Sequence, residues 1–233
     1  MNRSIKVIGA GGIGTKLLDP LCQFLNYYHP QPAEGEEADT FEVTIVDGDS
    51  FEQRNRERQD FYNFGNKAEI KATELMQKYD LTIHSVPEYL SESNISSIIQ
   101  EDDIVLVCVD NHDTRALIAE KVATLQNVVL ISGGNGFYTG DVLTNVRIAG
   151  QNYTASITRY HEEISVGDGQ HPQRLGCEAL HQAEPQLLFA NMGAAWIVLC
   201  RFYKICILGQ LDTTCENDFD ILTGEVLAKQ FPV

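Results

Sequence analysis

The segment Gly9-Ala10-Gly11-Gly12-Ile13-Gly14 constrains this chain more than any other. It follows a short apolar run, Ile5–Ile8, and leads into a stretch from Ile13 to Tyr28 that reads as a helix. Glycine at Gly9 and Gly11 permits a tight turn with close backbone approach. Glycine at Gly14 lets the helix lie close on the strand. The unpaired N–H groups of the helix's first turn, aligned with its dipole, then form a natural seat for phosphate. A strand, a G-x-G-G-x-G turn and a helix in this order make a nucleotide turn a better reading than a turn needed only for packing.

Apolar runs recur behind this unit at Phe41–Val46, Leu81–Val86, Ile104–Val109 and Val128–Ser132. Helical patterns alternate with them at Lys67–Tyr79, Ser91–Gln100 and His112–Leu125. This rhythm predicts an α/β fold with a doubly wound, mainly parallel Rossmann-like sheet. The rhythm changes after Gly133. Tyr138–Ala149 reads as a long strand or hairpin, and Gln151 to Pro185 as an irregular segment rich in His, Gly and Glu. Gln186–Leu208 reads as a long helix, and Phe219–Gln230 as a hairpin turning at Thr223-Gly224. The expected organisation is one domain over 1–233. It has a nucleotide-binding core at 1–150, a long crossover loop at 151–185, and a C-terminal helix with an antiparallel extension at 186–233.

A formal net charge of -16 argues against broad nucleic-acid binding, since no cationic surplus exists to displace counterions. Residues 1–8 run straight into a strand without a leader-like pattern, and the most apolar segment, Phe189 to Leu208, contains Asn191, Arg201 and Lys204. A buried or interfacial helix is therefore expected there rather than a membrane span. The six cysteines form no C-x-x-C pair, which suggests a reducing, cytoplasmic setting without a disulfide framework. Cys22, Cys108 and Cys200 read as core thiols.

Asp47 ends the second strand, where a carboxylate can meet a ribose hydroxyl of either NAD or ATP. The following residues, Asp47 to Tyr62, carry Arg54, Arg56, Arg58, Asn55 and Gln59. Guanidinium forks and amides suit a triphosphate better than a nicotinamide. Lys67 stands at a helix start, a suitable position for a phosphate-directed ammonium. Asp110 follows the fourth strand, at the sheet edge where open α/β folds bind ligands, and a carboxylate there suits Mg²⁺ beside a triphosphate.

Four segments in order, GAGGIG, VDGDSFEQRNRERQ, GNKAEIKA and VCVDNHDTR, resemble the ubiquitin-activating-type, ThiF and MoeB-like adenylyltransferase family. The likeness is good over residues 5 to about 150 and continues weakly through Gln186 and Asn191. It implies that Gly9, Gly11, Gly12 and Gly14 form the phosphate turn, with Asp47 on the ribose and Asp49 near the nucleotide. Asn55, Arg58 and Gln59 match the N-x-x-R-Q phosphate element. Lys67, with Lys71 as the alternative, matches the phosphate lysine, and Asp110 the magnesium-linked aspartate. The implied activity is adenylation, with ATP and Mg²⁺, of the C-terminal carboxylate of a small ubiquitin-like or sulfur-carrier protein. Arg58, Lys67 and Asp110 would assist catalysis. Cys177 could then form a thioester in the crossover loop, with Cys215 a distant alternative, before a conjugating-type protein or sulfur donor takes part.

The family also implies a homodimer and, in many members, an arginine on an N-terminal helix. Here the chain opens at its first strand, and Arg54 or Arg56 is the substitute considered. Paired C-x-x-C zinc motifs are absent. Two other readings stay open at this point: an NAD-dependent oxidoreductase, and a non-catalytic partner of a heterodimeric activating enzyme.

Overall fold

Hydrophobic alternation in the central strands decides the layers of this protein. The computed structural model describes residues 2–28, 40–169, 171 and 187–233. Strand β1 (Asn2–Ile8) leads into helix α1 (Gly12–Tyr27), and β2 (Thr40–Val46) follows. A small antiparallel pair, β3 (Ser50–Phe51) and β4 (Gly65–Asn66), precedes α2 (Lys67–Lys78) and β5 (Thr82–Val86). Then come α3 (Ile95–Ile98), β6 (Ile104–Val107), α4 (His112–Ala123), β7 (Val128–Asn135) and β8 (Thr139–Ile148). The short β9 (Gln151–Asn152) and α5 (Glu162–Val166) lie within the region expected to be irregular. Helix α6 (Leu188–Phe202) and a hairpin of β10 (Thr214–Asp220) and β11 (Glu225–Gln230) complete the described chain.

Among the described residues, β11-β10-β8-β7-β6-β1-β2-β5 form one sheet, with β9 paired to β8. The β5-β2-β1-β6-β7 portion is parallel, and β8, β10 and β11 extend it antiparallel. The mixed α/β class, the mainly parallel sheet and the C-terminal antiparallel extension match the expectation from sequence. The winding reverses between β1 and β6, which creates a crevice at their carboxyl ends.

Period-two alternation sends side chains to both faces. Ile104, Leu106 and Cys108 join Ile5, Val7, Val43 and Ile45 against α1, α2 and α6. Val105 and Val107 join Val46 and Leu130 against α3 and α4. The two cores place helices on both sides of a parallel sheet, as a buried parallel sheet requires.

Two expectations are corrected. The helix expected over Ser91–Gln100 contracts to Ile95–Ile98. Side chains take the backbone groups at both ends: Asn94 Oδ1 accepts from Ser91 N at 2.8 Å, and Asp103 Oδ2 accepts from Gln100 N at 2.8 Å. Cys200 is exposed rather than buried. Helix α6 is apolar around most of its circumference, so periodicity alone could not select its inner face. That face carries Ala190, Ala194, Ile197, Val198, Arg201 and Phe202, while Phe189, Met192 and Trp196 point outward with Cys200. The helix and the π-helical turn after it, Leu188–Ile207, are long and apolar enough to span a membrane by composition. Their packing against α1, β7 and β8 is that of a core helix.

Arg201 is buried because its partners are fixed around it. It donates to Asp212 through both Nη atoms at 3.1 and 3.0 Å, to the Thr214 carbonyl at 3.0 Å, and to Thr144 Oγ1 at 3.3 Å. Lys204 adds a second cation to Asp212. This network anchors the end of α6 to the C-terminal hairpin.

Candidate functional site

The glycine turn is built by close backbone approach. Gly9 has φ +96°, and a Cβ there would lie 2.9 Å from the Cys108 carbonyl oxygen, so both conformation and space call for glycine. Gly9 N donates to Val46 O at 2.9 Å, and Cys108 N to Ile8 O at 2.7 Å. A Cβ on Gly14 would fall within contact of the Gly9 carbonyl, which is how α1 starts so tightly on β1. Thr15 N pairs with Gly11 O at 3.0 Å, and the first-turn N–H groups before it have no intrahelical acceptor. Gly11, the cap residue, makes no side-chain capping bond.

Asp47 ties this turn to β2. Its Oδ2 accepts from Ala10 N at 2.6 Å and its Oδ1 from Asp49 N at 2.8 Å. Burial pushes its carboxyl upward, against the pull of Lys67 and the two backbone donors. Both carboxylate oxygens are therefore already engaged by the chain itself, a role that the sequence did not reveal.

Lys67 opens α2 and is buried, with Nζ 3.0 Å from Asp49 Oδ2. Asn66 caps the same helix by accepting from Glu69 N at 3.1 Å, and its amide holds the Asp47 carbonyl at 2.9 Å. Burial raises the Asp49 carboxyl, but Lys67 and the Tyr89 hydroxyl outweigh it and hold the group below the usual carboxylate range. Tyr89, from the chain after β5, packs over Gly48, where a Cβ would lie 2.7 Å from its ring. No pattern in the sequence singled it out. Lys71 is also buried, but its Nζ is 2.8 Å from Glu74 Oε2, and Glu74 also accepts from Tyr62 N at 2.6 Å. Of the two lysine candidates, Lys67 is the one the fold places beside Asp47 and Asp49.

A single 3₁₀ turn, Gln53–Asn55, organises the phosphate-element candidates. Asn55 is buried, and its Oδ1 accepts from Glu52 N at 2.8 Å in a capping box. Its side chain thus shapes the loop. Arg54 pairs with Glu52 at 2.6 Å, and Arg56 stacks over Phe61 and Phe64 at 4.9 and 5.4 Å. Arg58 and Gln59 differ from these. Arg58 Nε and Gln59 Oε1 are buried without a hydrogen-bond partner among the described residues. Gln59 Nε2 approaches Gly11, 3.9 Å from where a Cβ would stand.

Asp110 is exposed beyond the end of β6, next to Asn111, which caps α4 by accepting from Thr114 N at 2.8 Å. Arg115 is buried and structural: Nη2 donates to the Val109 and Gly133 carbonyls, both at 3.1 Å. Asp168, Gly169 and His171 lie across the start of α4. Asp168 accepts from His112 N and Asp113 N, and His171 Nε2 lies 2.8 Å from the Leu90 carbonyl oxygen. Cys177, with His181 and Arg174, lies outside the described residues. Cys215 is buried and donates to the Thr213 carbonyl at 3.3 Å, so it is poorly placed as the alternative nucleophile.

The model of the ThiF family matches residues 1–177. The chain belongs to the ThiF family. Among curated relatives, the adenylyltransferase and sulfurtransferase UBA4 of Yarrowia lipolytica is 30% identical over 135 residues, covering 56% of this chain and 30% of that protein. UBA4 of Vanderwaltozyma polyspora is 28% identical over 140 residues, 58% of this chain and 29% of that one. This ThiF chain thus spans well under half the length of those relatives that it matches. In fold it is similar to E. coli MccB solved with AMPCPP and selenomethionine MccA, with a TM-score of 0.68 at 14% identity over 98% of this chain and 63% of MccB. PaaA aligns with a TM-score of 0.64 at 13% identity, over 98% of this chain and 64% of PaaA.

Proposed function

We propose that this ThiF-family chain uses ATP to adenylate the C-terminal carboxylate of a small protein or peptide. The observation that carries the reading is convergence. The glycine turn, the Asp47–Asp49–Lys67 cluster and Gln59 meet beside the β1–β6 reversal, where such sheets bind nucleotides. The donor set fits a polyphosphate: helix N–H groups, one buried ammonium, and a guanidinium with an unpaired buried Nε. Adenylyltransferase activity in the UBA4 relatives supports the same chemistry, and family membership weighs against the nicotinamide alternative.

The attacking carboxylate is already ionised at neutral pH and needs no general base. Its oxygen forms a bond to the α-phosphorus as the bond to the leaving pyrophosphate oxygen breaks. The obstacle is repulsion between anions, so catalysis depends on positioned cations. Lys67 and Arg58 fill that role, with the α1 N–H groups holding phosphate oxygens. Gly9, Gly11, Gly12 and Gly14 shape the phosphate seat, while Asp47 and Asn55 hold its loops. Mg²⁺ would neutralise phosphate charge, held by Asp110 together with phosphate oxygens. Among the described residues no three His, Cys, Asp or Glu side chains form a metal-binding group of their own.

The finer reading is that the acceptor is a ubiquitin-like or sulfur-carrier protein, activated by a cytoplasmic homodimer. A thioester on Cys177 would follow by thiolate attack on the acyl-adenylate with release of AMP. ATP–pyrophosphate exchange with candidate carriers tests the first step in wild type, Lys67→Ala and Asp110→Ala. Carrier-dependent exchange that both substitutions suppress is expected. Exchange absent from wild type with every carrier would favour the non-catalytic-partner reading. A reducible carrier adduct should vanish in Cys177→Ala if that thiol takes the acyl group.

A further inference from the structure

Asn191 stands one turn into α6 and is 0% exposed. Its backbone N–H is paired with the Leu187 carbonyl at 3.1 Å, but neither Oδ1 nor Nδ2 has a partner among the described residues. Leaving both halves of a carboxamide buried and unpaired is costly, and buried polar groups are almost always satisfied. The neighbour explains where a partner would come from. The carboxamide lies flat on Gly12 at the N-terminus of α1: a Cβ on Gly12 would be 2.5 Å from Nδ2, 2.8 Å from Cγ and 2.9 Å from Oδ1. Glycine at position 12 is therefore what lets α6 bring an amide donor directly against the phosphate turn. Gln59, also buried with an unpaired oxygen, approaches the same turn at Gly11.

We propose that Asn191 is a further phosphate-binding residue of the nucleotide site, its Nδ2 donating to a phosphate oxygen seated on the Gly11–Gly12 turn. The proposal rests on the ATP reading above. It makes α6, which follows the crossover region in sequence, a reporter of nucleotide occupancy: the unsatisfied amide is relieved only when the anion is present. It also assigns Gly12 a function distinct from Gly9 and Gly14, whose constraints come from backbone approach.

Isothermal titration of wild type, Asn191→Leu and Asn191→Ser with ATP and with adenosine tests this, alongside thermal melts without ligand. Loss of a hydrogen bond to a charged oxygen predicts that both variants bind ATP about tenfold more weakly or worse. Adenosine affinity should be unchanged, which a merely structural defect would not produce. Asn191→Leu, close in volume and without polar atoms, should melt at or above the wild-type temperature when nucleotide-free. Variants that bind ATP as tightly as wild type would overturn the proposal and leave the ATP reading standing, as would equal losses for ATP and adenosine. Wild-type protein that fails to bind ATP would overturn both.

Discussion

Asp113 and Asp168 cap each other's backbone. The Asp168 carboxylate accepts from His112 N at 2.8 Å and Asp113 N at 3.4 Å, at the positive end of α4. The Asp113 carboxylate returns the interaction, accepting from Asp168 N at 3.2 Å, Gly169 N at 3.3 Å and His171 N at 3.2 Å. This clasp holds residues 168, 169 and 171 of the 151–185 region against the start of α4, two to three residues from Asp110. Asp113→Ala should release it. Hydrogen exchange over residues 162–169 is expected to lose on the order of 30-fold protection, with the central strands unaffected. Unchanged protection would mean that the clasp does not hold the segment.

The glycines of the turn separate folding from binding. A methyl group at Gly14 meets the Gly9 carbonyl, part of the backbone, whereas one at Gly11 meets nothing closer than Gln59 Nε2 at 3.9 Å. Gly14→Ala should cost about 3 kcal/mol of stability by overpacking. Gly11→Ala should unfold within about 1 kcal/mol of wild type, as an ordinary accessible position does, yet bind ATP more weakly because the methyl narrows the phosphate seat. Urea unfolding and calorimetric titration of the two variants check the contrast.

Lys67 is the buried cation nearest the Asp47–Asp49 pair. Removing it leaves two carboxylates facing each other and the incoming phosphates without an ammonium. Lys67→Ala should lower the pyrophosphate-exchange rate by about 10²–10³-fold, the usual range for one lost electrostatic contact at a transition state. Lys71→Ala should act mainly on stability through Glu74, with exchange reduced far less.

Asp212 gives the fold an acid-sensitive element. Burial raises its carboxyl, but Arg201 and Lys204 outweigh that and hold it well below the usual carboxylate range. A depressed folded-state pKa adds stability that is present above the unfolded value near 3.9 and is lost as pH falls through the folded one. Asp212→Asn leaves the buried Arg201 guanidinium uncompensated, and should cost about 3 kcal/mol near neutral pH. That deficit should shrink as both proteins are taken below pH ~3. A deficit independent of pH would rule out the ion pair as its source.

Thiol reactivity should follow burial. Burial pushes Cys22, Cys108 and Cys206 up to about 12, with the nearby Asp19 adding to the rise at Cys22. Cys200 is exposed on the outer face of α6. Among the described cysteines, brief treatment of native protein with a maleimide should modify Cys200 first. Mass spectrometry of the digested protein reads this out and reports Cys177 in the same experiment. Cys22 labelling ahead of Cys200 would contradict the packing of α1.

The strand–turn–helix start and the five parallel strands were legible because their signals are local. Each is a continuous apolar run closed by a turn, and a buried parallel strand can hardly be written otherwise. The positions of Lys67 and Asp47, though not what Asp47 binds, were legible for the same reason, since each sits at an element boundary marked by its neighbours. Cys200 and Arg201 were not, because a helix apolar around most of its circumference carries little information about which face is inward. The shortened α3 was hidden by Asn94 and Asp103, whose competition for backbone groups depends on where the following strand lies.

The sequence by itself determined the main alternation of strands and helices, the glycine turn and the family, all written in short-range patterns of glycine, charge and hydrophobicity. The tertiary structure alone decided what those residues touch. It showed that Asp47 already binds the turn, that Asn55 and Arg115 hold backbone groups, and that Asp113 and Asp168 clasp across 55 residues. It also laid Asn191, 179 positions beyond Gly12, against the glycine turn with its amide unpaired. Hydrogen-bond satisfaction is a property of three-dimensional neighbours, and no spacing along the chain encodes which buried groups will find a partner.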